Sequence, residues 1–157
     1  MSTLVRRFAA AAAIFVAGAS TASATTMWEA EAPAGAFSSN WAAPTQVGAG
    51  VSSIHGTGAG GVFDNFVFTA LPGGAQTLQL VFTAPAAVDP SYSAGGAVLW
   101  SDQPFRWGWD GQPLFSLQLD DLARKRMATL ALPDTFAGTL YLALNFTHGA
   151  NIAYEIT

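Results

Sequence analysis

The chain has 157 residues, a formal net charge of -4 and no cysteine. So acidic a balance, with Arg124, Lys125 and Arg126 as the basic cluster past the N-terminus, argues against nucleic acid, whose phosphates demand grouped Lys and Arg. Without cysteine there is no disulfide, so packing alone must hold the fold.

Arg6 and Arg7 head an apolar run over residues 8–19, and Ala22-Ser23-Ala24 supplies a small-residue cleavage pattern. Residues 1–24 therefore read as a secretory leader removed before Thr25. The run is shorter than the roughly 18 to 20 residues of a spanning helix, so no membrane span is expected after cleavage. A secreted or periplasmic location in a bacterium fits best, since small domains exported by eukaryotes more often carry bridges. About 130 residues remain, enough for one domain over 25–157.

Residues 25–50 are rich in Ala, Gly, Ser and Pro, with Trp28, Phe37 and Trp41 as large apolar side chains. This stretch is expected to be a less regular arm, or to add an edge strand. The sequence 56–61 satisfies G-x-G-x-x-G, but a dinucleotide loop needs a helix after it, and period two follows instead. A glycine-rich hairpin or bulge is expected there. Over 62–69, Val62, Phe66 and Phe68 share a face with Asp64. A carboxylate facing a core must accept hydrogen bonds or bind an ion. Capping of the glycine-loop N–H groups is one expectation; a calcium site shared with Glu29 and Glu31 is the other.

Over 76–83, Leu78, Leu80 and Phe82 alternate with polar residues, as Phe115, Leu117 and Leu119 do later. Turn chemistry is expected at 71–74, 94–96, 110–113 and 133–138. Between two of these turns, Phe105, Trp107 and Trp109 would line one face of a strand, with Asp110 following and Trp100 and Tyr92 upstream. Such a platform suits stacking on sugar rings; burial in the core is the competing expectation. Arg106 would then point the other way, toward an acid such as Asp102. Residues 120–127 read as one helical turn in a loop, and Ala128, Leu130 and Leu132 as a weaker strand. Leu140, Leu142, Leu144 and Phe146 mark the clearest strand, which also holds the sequon Asn145-Phe146-Thr147. After His148-Gly149 the pattern resumes over 150–156, as an antiparallel hairpin would.

Many short strands between Gly and Pro turns make an all-β chain, an antiparallel β-sandwich with a small barrel as its rival and jelly-roll or Ig-like topology left open. Chemistry is sparse. His55 and His148 are the candidate bases, without a G-x-S-x-G elbow or H-E-x-x-H spacing. Asp120 and Asp121 would point opposite ways along an extended chain.

Residues Ile54-His55-Gly56, the glycine-rich loop, Asp64-Asn65-Phe66-Val67-Phe68, Leu71-Pro72-Gly73-Gly74 and Leu78-Gln79-Leu80-Val81-Phe82 together resemble the bacterial pre-peptidase C-terminal domain. Where that family often carries a second acid before the Asp, this chain has Val62-Phe63. The resemblance implies a secreted β-sandwich without catalytic residues, usually an accessory module beside an enzyme. Trp28-Glu29-Ala30-Glu31 is similar to the opening of some calcium-dependent carbohydrate-binding modules. The expected function is an exported, non-catalytic accessory or binding module contacting polysaccharide or protein polymers. A carbohydrate-binding module using the aromatic platform, and a small secreted hydrolase, are the alternatives. No cofactor beyond calcium is expected.

Overall fold

Alternating apolar residues fold into two five-stranded layers in the computed structural model, which describes residues 24–157 other than Ala70 and Ala137. Residues 1–23 of the expected leader lie outside the described residues. With strands numbered in chain order, the first sheet runs β1 (Thr25–Trp28), β3 (Val51–Gly58), β10 (Ile152–Ile156), β5 (Gln76–Thr83) and β8 (Lys125–Leu132). The second runs β2 (Thr45–Val47), β4 (Phe63–Phe68), β9 (Leu140–His148), β6 (Ser93–Ser101) and β7 (Gln112–Asp120). The chain is an all-β sandwich. Among the described residues no helix is long and apolar enough to cross a membrane.

Pairing is antiparallel except at one edge of each layer, where β1 lies parallel to β3 and β2 parallel to β4. Both exceptions come from the arm. The long connections between these strands permit parallel pairing, which a tight hairpin turn forbids. A 3-10 turn at Glu29–Glu31 follows β1.

The inner faces interlock around Phe66, Phe82 and Phe146, with Leu80, Leu142, Leu144 and Ile152, all essentially removed from water. Each such side chain contributes about 1.5 to 3 kcal/mol, and in a chain without disulfides this layer is what holds the sheets together. The last two strands occupy the centres of both sheets: β9 lies between β4 and β6, and β10 between β3 and β5.

Four local expectations are corrected. Strands β9 and β10 do not form a hairpin, because they belong to different sheets. Gly149 (φ 94°) and Asn151 (φ 54°) carry the chain across the sandwich, and a turn of this kind has the same glycine chemistry as a hairpin. Likewise the glycine-rich stretch does not close a hairpin: β3 and β4 also lie in opposite layers, and Gly56 and Gly58 stand inside β3. Ala94-Gly95-Gly96 is no turn but the start of β6, whose register against β9 shifts between the two glycines. Residues 120–127 contain no helical turn; Asp120 Oδ1 accepts the Leu122 and Ala123 N–H groups, and β8 begins at Lys125.

Candidate functional site

An antiparallel sheet normally turns one face to water, yet part of the outer face of the second sheet is buried. Alternation along β4 and β9 sends Asn65, Val67, Ala143 and Asn145 away from the inter-sheet core, and all four are buried. Their cover is the ten-residue connection 102–111 between β6 and β7, joined by part of the arm. Phe105, only 4% exposed, anchors this cover in a second small core with Leu99 and Ala143, against which Trp41, Ala97 and Tyr141 pack. The Phe105 and Tyr141 rings meet edge to face with centroids 6.1 Å apart.

The expected strand over 105–109 is therefore a loop, and its residues do not share a face. Local polar chemistry closes it: Arg106 N–H donates to Asp110 Oδ2 at 2.9 Å, and the guanidinium reaches both carboxylate oxygens at 3.1 and 3.3 Å. These bonds hold the Asp110 carboxyl below the usual carboxylate range, the Arg106 hydrogen bond being the main cause. Arg106 thus pairs with Asp110, not Asp102. The turn lifts Trp107 and Trp109 into solvent, 55% and 40% exposed, while Phe63 meets Trp109 edge-on at 6.2 Å.

The six aromatic-platform candidates fall into three groups. Trp107 and Trp109 are exposed, with Asp110 fastening their turn; Phe105 is an anchor beneath it. Trp100 and Tyr92 pack instead against the inter-sheet core. Trp41 belongs to the site although the sequence offered no pattern for it, since the arm lacks alternation; it packs against the Phe105 cluster, and a Cβ on Gly108 would lie 3.7 Å from its Cδ1. Two buried amides pin the cover from below. Asn145 Nδ2 donates to Gly108 O at 2.8 Å and Asn65 Nδ2 to Ser38 O at 3.3 Å, while neither Oδ1 has a protein partner. The Asn of the sequon is accordingly 1% exposed.

Asp64 faces the core, 1% exposed, but its partner is not the glycine-rich loop. Tyr154 OH on β10 donates to Asp64 Oδ2 at 2.8 Å, bridging the two sheets. Burial pushes the Asp64 carboxyl up to about 7, against the opposing Tyr154 hydrogen bond and with some help from the Glu29 charge. Burial and the carboxylate raise Tyr154 as well. A Cβ on Gly56 would lie 2.3 Å from Tyr154 Oη, so this glycine makes room for the bridge. Glu29 Oε2 accepts from Thr57 N–H and Oγ1 at 2.7 and 2.9 Å. Glu31 lines a separate, mainly apolar cavity of about 880 Å³ beside Met27, Phe37 and Pro44. The three acids expected around calcium are not gathered, and among the described residues no three His, Asp or Glu side chains group as metal ligands do.

The two histidines stand in different sheets. His55, in the middle of β3, stacks on Trp28 with centroids 4.4 Å apart and lies 3.9 Å from Glu155. His148 ends β9, with Ser93 Oγ 3.2 Å from Nε2 and Thr147 Oγ1 3.1 Å from Nδ1. A Ser–His pair needs an acid behind the imidazole to orient and stabilise it; here a hydroxyl occupies that place, and Gln118 donates to Ser93 Oγ at 3.3 Å.

No family model and no curated protein matches the chain. Among solved structures it is similar to the pre-peptidase C-terminal domain of a collagenase from Bacillus anthracis. The two share 13% identity with a TM-score of 0.43, over 72% of this chain and 91% of that one. That solved domain is of the kind that the segments between Ile54 and Phe82 resemble in sequence.

Proposed function

We propose that the protein is an exported, non-catalytic binding module, and that the outer face of the second sheet is the surface with which it contacts extracellular or envelope polymers. The observation that carries this reading is the pair of exposed tryptophans on a closed turn. Trp107 and Trp109 present wide apolar area to water although neighbouring aromatic residues are covered, and a rigid aromatic of this kind gives contact area at small entropic loss. The Thr147 hydroxyl stands behind the His148 imidazole where a triad places a carboxylate, which supports a role without catalysis. The leader pattern supports export.

Depletion from solution by cellulose, chitin, peptidoglycan sacculi and insoluble gelatin tests the reading. At least one of these polymers is expected to retain the protein. The double variant Trp107→Ala, Trp109→Ala should weaken retention at least tenfold, the equivalent of about 1.4 kcal/mol, with its thermal midpoint nearly unchanged because both rings lie outside the inter-sheet core. Equal retention of the variant and the parent would refute the assignment.

A polysaccharide is favoured over a protein polymer by the polar walls around Tyr141 on the same face. Amides, hydroxyls and a carboxylate border the Tyr141 ring.

A further inference from the structure

We propose that a neutral glycan chain lies in a groove across the outer face of the second sheet, passing over Tyr141, a site apart from the tips of Trp107 and Trp109. The proposal rests on the reading of this face as a binding surface and names its ligand class. Two hollows, of about 460 and 600 Å³, flank Tyr141 and share Pro104, Thr139 and Tyr141 as walls. Trp41 and Gln46 line the first; Asp102 and Gln103 line the second. Each has the capacity of a small-molecule site, roughly 300 to 1,000 Å³. Two such hollows on either side of one aromatic ring fit a ligand of repeating units.

The wall chemistry selects among polymers. Sugar rings offer apolar C–H faces that rest on aromatic planes, and rims of hydroxyls that need paired donors and acceptors. Tyr141 and Trp41 supply half-buried rings, and the edge-to-face contact with Phe105 fixes the tilt of Tyr141. Exposed Gln103 and Asp102 supply an amide and a carboxylate where the loop leaves β6; Gln103 N–H donates to Ser101 Oγ at 3.0 Å, which fixes its backbone there. Gln46 Nε2 donates to Pro44 O at 3.4 Å, leaving its carbonyl to accept. Among the described residues no Lys or Arg stands in either wall. A sulfated or uronate chain in the second hollow would lie against the Asp102 carboxylate.

Calorimetric titration of the whole protein with cellohexaose, xylohexaose, mannohexaose and laminarihexaose tests the groove, with polygalacturonate and poly-L-proline as the anionic and polypeptide probes. At least one neutral hexasaccharide is expected to bind. Gln103→Ala and Asp102→Asn should each weaken it at least fivefold, and Tyr141→Ala more than tenfold. Tyr141 is half-buried, so if Tyr141→Ala fails to fold, the exposed Gln103 and Asp102 variants decide. Full hexasaccharide affinity in those two variants, with loss in Trp107→Ala, overturns the groove and leaves the face as a binding surface. Binding confined to polygalacturonate or poly-L-proline overturns the groove in the same way. Silence from all six soluble probes, together with no retention on the insoluble polymers, overturns both.

Discussion

Asp64→Asn is expected to abolish most of the loss of stability that the parent suffers between about pH 4 and pH 7, and to leave the variant the more stable of the two at pH 8. The sign follows from a folded-state value raised from 3.8 to about 7. Below 3.8 the carboxyl is protonated in both states and the native fold keeps its full stability. As pH rises through that value the unfolded chain releases a proton that the buried carboxyl retains, so stability falls until the folded group ionises near 7. At about 1.4 kcal/mol per tenfold difference in proton affinity, the loss is about 4 kcal/mol. Asparagine keeps an acceptor for Tyr154 and cannot ionise, so its profile should be flat across that window. Urea melts at pH 4, 6 and 8 on both proteins provide the check. A parent whose stability is constant or rises across the window would show that Asp64 is not buried beside Tyr154.

Gly96→Ala should destabilise the fold by about 3 kcal/mol or more, at the upper end of overpacking effects. A Cβ there would lie 2.1 Å from Asn145 O, and Phe146 Cα is 3.0 Å away. Both obstacles are backbone of the central strand β9, so no rotamer change relieves them; the sheet itself must move. Gly73→Ala is the control, since nothing lies within 4 Å of a Cβ at that position, and its stability should stay within about 0.5 kcal/mol of the parent's. Equal stability of the two variants would place Gly96 outside the sheet interior.

This pair of glycines also shows where the sequence could be read and where it could not. Strands β5 and β9 were legible because each keeps one unbroken face, Leu78, Leu80 and Phe82 in one and Leu140, Leu142, Leu144 and Phe146 in the other. Strand β6 was not, since Gly95-Gly96 carries the chemistry of a turn, and the close approach of β9 that requires it is a tertiary fact. The loop over 105–109 misled in the opposite direction. Phe, Trp and Trp at every second position mimic a strand face, whereas the local signal that counts is Arg106 and Asp110, four residues apart and able to close a turn. Asp64 could be assigned to the inner face, but its partner lies ninety residues away on β10. The covered outer face left one trace: Phe63 and Val67 on one face of β4 stand against Phe66 and Phe68 on the other, so both faces carry large apolar side chains, as a strand buried on both sides shows.

The central claim is that the outer face of the second sheet is the working surface, and the five tryptophans report on it directly by the resonances of their indole N–H groups. Trp41, Trp107 and Trp109 belong to that face, Trp28 lies on β1 beside His55, and Trp100 packs against the inter-sheet core. On titration with each hexasaccharide and then poly-L-proline, the account predicts that a probe that binds shifts one or more of Trp41, Trp107 and Trp109, with Trp28 and Trp100 unmoved. Shifts confined to Trp28, or none with any probe, would contradict it.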